Sequence, residues 1–108
     1  MGVNDDLIDG TEQTLSNASC TTNSAAPMIQ LIKNHFGIES AYLTTIKLHT
    51  TEQRIHDSPH NDLRRVRAGA TSTVPTKTGA AKAITKIFSD LADKMRGCGI
   101  RVPIPEVH

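Results

Sequence analysis

The sequence contains no tryptophan and few aromatic residues of any kind, with one tyrosine and two phenylalanines among its 108 residues. Any hydrophobic core must therefore be built mainly from aliphatic side chains. Two cysteines are too few for a disulfide framework, and no apolar run reaches the roughly 18 residues that a membrane-spanning helix requires. These absences exclude a disulfide-rich secreted domain and predict a cytoplasmic protein with no membrane partner.

An excess of charge of one sign is also missing, because 12 basic and 11 acidic residues leave a net charge of +1. A surface that binds nucleic acid normally carries clustered positive charge, so we expect no nucleic-acid partner. His56 and His60 have a spacing of four, but Pro59 opposes the helix that would align their rings, and we expect no metal site. The seven glycines are scattered and form no dinucleotide-binding or phosphate-binding loop motif.

Helical periodicity begins shortly after Cys20, where apolar residues recur every three or four positions. The pattern predicts a helix over about 22–35, which Gly37 ends in a left-handed conformation. A second apolar stripe predicts a helix over about 79–91, with Thr78 as its N-cap residue.

Between and after these helices the sequence predicts extended structure and loops. Residues 41–51 are rich in β-branched and apolar types, which favours a strand. Residues 52–72 have few apolar anchors and predict a long irregular loop. Gly97 and Gly99 predict a turn, followed by a short strand over 100–104.

The segment Ser16-Asn17-Ala18-Ser19-Cys20-Thr21-Thr22-Asn23 places a thiol among hydroxyls and amides just before the first predicted helix. A helix N-terminus carries partial positive charge and unpaired N–H donors, so a cysteine there ionises readily and is a candidate nucleophile. The segment resembles the active-site segment of phosphorylating glyceraldehyde-3-phosphate dehydrogenase. The likeness continues in the family's order through Met1-Gly2-Val3-Asn4, Gly37-Ile38-Glu39, Asp62-Leu63-Arg64-Arg65, Thr78-Gly79-Ala80-Ala81-Lys82-Ala83 and Arg101-Val102-Pro103.

This resemblance implies an α+β fold in which residues 1–108 form part of the family's catalytic domain, with helices packed on a mixed, mainly antiparallel sheet and no Rossmann domain. It implies an oxidoreductase of glycolysis and glucose metabolism that converts glyceraldehyde 3-phosphate and inorganic phosphate into 1,3-bisphosphoglycerate. Cys20 would form a thiohemiacetal and then a thioester, with hydride transfer to NAD. NAD, or alternatively NADP, would be bound mainly by a domain outside this chain.

The resemblance also implies a homotetramer, in which residues 52–72 correspond to the family's S-loop at the subunit interface. The residues that match the family's anion ligands are hydroxyl, guanidinium and helix-start positions suited to phosphate oxygens. They are Ser19, Thr21, Thr50, Arg65, Thr78, Gly79 and Arg101.

The histidine that serves as base in this family is absent, because Lys47 stands at its position. A protonated lysine cannot accept the hydroxyl proton, although burial beside a thiol can bring a lysine towards neutrality. His49 lies two residues further along the same face of the predicted strand, about 7 Å away at a rise of about 3.3 Å per residue. We therefore regard His49 as the candidate replacement base and predict slow or absent dehydrogenase turnover.

Two alternatives stay open. Erythrose-4-phosphate dehydrogenase is similar over the same motifs and shares the thiol chemistry, although Thr78-Gly79-Ala80-Ala81 favours the glyceraldehyde enzyme. The chain is alternatively a noncatalytic remnant that binds phosphate or associates with full-length relatives, and the lysine at position 47 motivates this hypothesis.

Overall fold

The computed structural model describes residues 2–56 and 58–105. Its helices are α1 (Cys20–Phe36), α2 (Leu63–Ala68) and α3 (Ala80–Ile87), and its strands are β1 (Ala41–Leu48), β2 (Val74–Thr76) and β3 (Met95–Val102). Short 3₁₀ turns lie at Asp5–Leu7, Thr51–Gln53 and Ser89–Leu91. Within the described part of the chain, no helix is both long and apolar enough to cross a bilayer.

The three strands form one sheet in the order β1-β3-β2. Strand β2 is antiparallel to β3, with Thr76 opposite Gly99. Strand β1 runs parallel to β3, because the amide of Ala41 donates to Lys94 and the amide of His49 donates to Ile104. The expected α+β class with a mixed sheet is therefore confirmed.

The chain divides into two compact units. The first consists of Met1–Leu43 and Gly79–Arg96, and the second of Thr44–Thr78 and Gly97–His108. Two of the three boundaries fall within strands, so β1 and β3 each contribute residues to both units.

The first unit has an apolar core between α1 and α3. Its buried members are Ala25, Ala26, Ala81, Ile84, Phe88, Leu91 and Met95. The core is mostly aliphatic, as the scarcity of aromatic residues predicts. At its edge the ammonium of Lys33 lies 2.7 Å from Asp90 Oδ1 and 5.3 Å from the centre of the Phe88 ring. This ion pair links α1 to the 3₁₀ turn that follows α3.

The second unit has a polar interior. Val74 is its one buried hydrophobic residue among the described positions. The other buried residues described in this unit are Thr45, Gln53, Gly69 and Gly99. A capping box holds the 3₁₀ turn, since the side chain of Gln53 accepts from the amide of Thr50 at 2.9 Å and the Thr50 side chain accepts in return. Directional hydrogen bonds thus take the place of apolar packing in this unit.

Two element boundaries differ from the sequence prediction because side chains cap them. Helix α1 begins at Cys20 rather than near residue 22, since Ser19 is extended and its Oγ accepts from the amide of Thr22 at 3.2 Å. Strand β1 ends at Leu48 rather than at residue 51, because Thr50 already caps the following turn.

Helix α3 is shorter than predicted and has a different cap. Gly79, not Thr78, occupies the N-cap position, and the helix ends at Ile87 before a 3₁₀ turn continues to Leu91. The prediction that Gly97 and Gly99 form a turn is wrong, because both lie inside β3.

Gly99 allows the chain at Thr76 and Lys77 to pack closely against β3, and it does not reverse the chain. A Cβ atom at this position would lie 3.0 Å from Cγ2 of Thr76 and 3.3 Å from the carbonyl oxygen of Lys77. Glycine in a strand often marks such a close approach. The strand expected over 100–104 therefore begins earlier, at Met95, and ends at Val102.

Residues 52–72 are not one irregular loop, since they contain the end of the 3₁₀ turn and helix α2. Asp62 caps α2 by accepting from the amides of Arg64 at 3.1 Å and Arg65 at 3.4 Å. The polar, arginine-rich sequence of α2 concealed it, because the helix has no buried residue and hence no apolar stripe.

Candidate functional site

Cys20 is the first residue of α1 and is exposed. Its Sγ atom lies 3.9 Å from the hydroxyl of Thr21. The N-cap hydroxyl of Ser19 engages Thr22, both through its amide and through its hydroxyl at 2.9 Å. The sulfur therefore stands at the positive end of the helix dipole, accessible to a small electrophile.

The segment before Cys20 is held by its own polar side chains. The side chain of Asn23 donates to the carbonyl of Asn17 at 2.6 Å and to that of Ser19 at 3.1 Å. Ala18 has a left-handed backbone with φ of +53°, a conformation that costs a residue with a Cβ about 1–2 kcal/mol. Amide and hydroxyl side chains thus fix a strained turn immediately before the thiol.

The anion-ligand candidates divide between the units. Ser19, Thr21 and Gly79 belong to the first, and Thr50, Arg65, Thr78 and Arg101 belong to the second. Of the first group, Ser19 and Thr21 flank the sulfur, and Gly79 is the exposed N-cap residue of α3.

Within the second unit, Arg65 and Arg101 meet at one carboxylate. Glu52 places Oε1 at 3.3 Å from Nη1 of Arg65 and Oε2 at 3.7 Å from Nη2 of Arg101. Both arginine side chains are largely buried, with 16% and 12% of their surface exposed. The structure thus brings two predicted phosphate ligands together around a residue that the sequence analysis did not select.

Further contacts fix the arginine side chains in place. The guanidinium of Arg65 donates to the hydroxyl of Thr76 from Nε at 2.9 Å and also from Nη2. Asp62 Oδ2 lies 3.7 Å from the same Nε. Arg101 donates from Nη1 to the carbonyl of Leu48 at 2.7 Å. These bonds orient both side chains before any ligand arrives.

Lys47 and His49, the two candidates for the missing base, are half-buried in the second unit. Lys47 lies within β1, whereas His49 follows the end of the strand and donates its backbone amide to Ile104 at 3.4 Å. Strand alternation therefore does not extend to His49, contrary to the prediction that the two side chains share a strand face.

An open groove of about 990 Å³ lies in the second unit. Most of its lining is charged or polar, and Arg65 and Thr76 contribute to it together with Glu52 and Asp62. Further positive groups on its wall are Arg54, Arg64 and Lys77. Among residues 2–56 and 58–105, no group of three or more histidine, cysteine, aspartate or glutamate side chains is arranged to hold a metal ion.

Sequence reasoning missed Glu52, Thr76 and Asp62. A local signal existed for the first, since Thr50 and Gln53 have the spacing of a capping box and so place Glu52 within a defined turn. Asp62 before a helix is likewise an N-cap pattern. No local signal links Thr76 to Arg65, because that contact depends on the path of the chain.

The fold and the cysteine-bearing helix agree with the comparison to protein families. Residues 19–108 match the model of the glyceraldehyde 3-phosphate dehydrogenase C-terminal domain. The match covers most of the chain, so the chain belongs to this family.

Individual relatives agree with the family match. The chain is 50% identical over 104 residues to the glyceraldehyde-3-phosphate dehydrogenase of Mycobacterium leprae (strain TN), with 96% of this chain and 31% of the relative covered. It is 50% identical over 105 residues to that of Mycobacterium tuberculosis (strain ATCC 25618 / H37Rv) and 49% identical over 105 residues to that of Borreliella burgdorferi, with 97% of this chain and 31% of each relative covered. The chain therefore spans about a third of the length of these curated relatives.

Proposed function

We propose that this chain supplies the nucleophile and a phosphate site of a phosphorylating glyceraldehyde-3-phosphate dehydrogenase, a glycolytic oxidoreductase. The observation that carries the proposal is the exposed thiol of Cys20 at the first position of α1. Family membership supports it, as does the strained backbone of Ala18 directly before the capped helix. Strained backbone conformations are frequent at functional sites, where the surrounding structure holds the residue in place.

In the proposed reaction, the thiolate of Cys20 forms a bond to the aldehyde carbon of glyceraldehyde 3-phosphate and produces a thiohemiacetal. Loss of the hydroxyl proton and of a hydride converts this adduct into a thioester. An oxygen of inorganic phosphate then attacks the thioester carbon, the C–S bond breaks, and 1,3-bisphosphoglycerate leaves with the thiolate restored. The first backbone N–H groups of α1 have no acceptor within the helix, so they are suited to stabilise the negative oxygen of each tetrahedral intermediate.

The hydride acceptor would be NAD, with NADP as an alternative. Rossmann domains bind the pyrophosphate of a dinucleotide on a glycine-rich turn between a strand and a helix. The described residues contain no such turn and so do not fit either dinucleotide. We therefore assign no residue of this chain to the cofactor and propose that other parts of the protein bind it.

The second unit would bind the phosphate groups of the triose phosphate and of inorganic phosphate. Arg65 and Arg101 present guanidinium groups whose planar N–H donors match phosphate oxygens. The other proposed phosphate ligands of this unit are Thr50 and Thr78. The proposed ligands in the first unit are Ser19, Thr21 and Gly79. We also propose that the whole protein is a cytoplasmic homotetramer with residues 52–72 at a subunit interface, as in the family that the sequence resembles.

Proton transfer is the weak step of this chemistry. His49 remains the proposed base, since a neutral imidazole has a ring nitrogen that can accept a proton, whereas an ammonium group such as that of Lys47 has only donors. If neither residue accepts the proton, the chain retains acyl transfer and phosphate binding without dehydrogenase turnover. That outcome corresponds to the alternative of a phosphate-binding remnant.

An acyl-transfer experiment tests the nucleophile without any dinucleotide. The full chain is incubated with acetyl phosphate, and acetylated peptides and released phosphate are quantified. We expect the thiolate of Cys20 to attack the carbonyl carbon, so that the C–O bond to phosphate breaks and a hydroxylamine-labile thioester forms with release of one phosphate.

Cys98 provides the matched control, because it is the other free thiol and is half-buried within β3. The Cys20→Ser variant should lose the label and the phosphate release, whereas Cys98→Ser should keep both. Equal labelling of the two cysteines, or labelling of Cys98 alone, would refute the proposed role of Cys20.

A further inference from the structure

The carboxylate of Glu52 occupies the place between Arg65 and Arg101 that an anion would take. Each of its two oxygens faces a different guanidinium, at 3.3 Å and 3.7 Å. No other acidic side chain in the described part of the chain forms an ion pair with both arginines. Glu52 therefore makes the kind of bridging contact that two oxygens of a phosphate group would make.

The ion-paired groups define a cluster of Arg64, Arg65, Arg101, Glu52 and Asp62. Its three guanidinium groups contribute three positive charges, since Asp62 lies 3.8 Å from Arg64 Nε as well as 3.7 Å from Arg65 Nε, and its two carboxylates contribute two negative ones. A phosphate dianion that entered this cluster with Glu52 in place would meet a net charge of only +1. Removal of the Glu52 charge would raise the net charge of the cluster to +2.

The carboxylate is the member of the cluster that is free to leave. The side chain of Glu52 is 65% exposed, whereas those of Arg65 and Arg101 are 16% and 12% exposed and are held by further hydrogen bonds. Because the carboxylate itself is mostly exposed, water can replace the arginines as partners of Glu52. The arginines, by contrast, would remain in position.

Arg101 has a donor that the protein does not use. Among the described residues, its Nε is buried and lacks an acceptor. An unpaired buried donor is costly, so a ligand that supplies oxygen atoms here gains from satisfying it. Arg101 thus points to an acceptor beyond the single Glu52 oxygen that its Nη2 faces.

From these contacts we infer that Glu52 is an internal counterion that competes with phosphate for Arg65 and Arg101. The inference rests on the phosphate site proposed above and adds the residue that sets its selectivity. A doubly charged phosphate group or phosphate monoester displaces Glu52. The attraction between the two arginines and a singly charged anion is too weak to compensate for the loss of both ion pairs of Glu52. Glu52 therefore lowers affinity for anions in general and favours dianions.

Isothermal titration of the full chain with inorganic phosphate tests this role. We expect Glu52→Gln to bind phosphate roughly threefold to tenfold more tightly than the wild type, because phosphate then no longer has to displace a carboxylate from two ion pairs. The matched control is Glu39→Gln, which changes net charge equally at an exposed site outside the cluster and should bind as the wild type does. Circular dichroism checks that each variant is folded.

Glu52→Asp supplies a second variant that keeps the charge but shortens the side chain by one methylene. It should give an affinity between those of the wild type and Glu52→Gln, because the carboxylate no longer spans both arginines. Equal phosphate affinity in the wild type, Glu52→Gln and Glu52→Asp would overturn the proposed competition.

Arginine variants separate this failure from failure of the phosphate site itself. Arg65→Met should abolish phosphate binding, while Arg67→Met, an equal charge change at an exposed position of α2, should retain it. If Arg65→Met weakens binding but Glu52→Gln has no effect, the site stands and the inference about Glu52 fails. If phosphate binds none of the folded proteins, or binds independently of Arg65, both are overturned.

Discussion

Eight of the nine buried hydrophobic residues among the described positions belong to the first unit, and Val74 alone belongs to the second. The first unit is stabilised by burial of apolar surface, which has no preferred direction. The second depends on a capping box, an arginine–threonine contact and ion pairs, which require particular atoms at particular distances. Charged groups that are paired with an exposed carboxylate can exchange that partner for a ligand, whereas side chains in a packed core cannot. The comparison explains why the proposed phosphate site lies in the polar unit.

The largest effect should come from damage to the apolar core. Ile84 is fully buried, so Ile84→Ala should lower the free energy of unfolding by about 2–5 kcal/mol through lost burial and a residual cavity. Urea denaturation followed by far-ultraviolet circular dichroism measures this change. Ile32→Ala in α1 is the control, because half of that side chain is exposed and the variant should lose far less. Similar losses in both variants would contradict an apolar core centred on Ile84.

An intermediate effect should come from crowding in the polar unit. At Gly69, a Cβ atom would clash with the carbonyl oxygen of Arg65 and would lie 2.7 Å from Nε2 of Gln53. Because the first contact is with backbone, Gly69→Ala must displace α2 and should cost about 1–3 kcal/mol. Hydrogen exchange should show faster exchange in residues 62–76 than in α1 and α3.

Gly79→Ala is the matched control for that substitution. No atom lies within 4 Å of a Cβ built at Gly79, and its φ of −81° suits any residue. The variant should change the free energy of unfolding by less than about 1 kcal/mol, because alanine restricts the unfolded chain but is a poorer N-cap residue than glycine. If Gly69→Ala were as stable as Gly79→Ala, the close packing described around Gly69 would be wrong.

The smallest effect concerns the ion pair between Lys33 and Asp90 at the edge of the apolar core. The hydrogen bond from Lys33 lowers the pKa of the Asp90 carboxyl below its ordinary value of 3.8, against a smaller opposing effect of desolvation. A lowered pKa in the folded state adds stability above the ordinary carboxyl range, and this stability is lost as pH falls through the lowered value. An NMR titration of Asp90 should show its pKa rise towards 3.8 in Lys33→Met.

Denaturation at several pH values gives the corresponding stability readout. Asp90→Asn should be less stable than the wild type at neutral pH, and the difference should vanish once Asp90 is protonated in both states. Asp93→Asn, an exposed neighbour without an ion pair among the described contacts, should show no such dependence. A stability difference that persists unchanged at a pH where the NMR titration shows Asp90 protonated in the folded protein would contradict the assignment.

Local signals in the sequence predicted much of the first unit. The apolar spacing and Gly37 located α1 to within two residues at its start and one at its end, because helical periodicity and caps depend on neighbours within one turn. The second unit was harder to predict. Helix α2 lacks an apolar stripe, and Gly99 serves close contact with another strand rather than a turn.

The sequence by itself determined the family and the nucleophile candidate Cys20, since both depend on motifs of residues adjacent along the chain. Only the tertiary structure decided that Glu52 faces Arg65 and Arg101. Ion pairs between distant residues follow the path of the folded backbone, and no periodicity or local motif encodes that path. The charge that we propose controls phosphate binding was therefore visible only after folding.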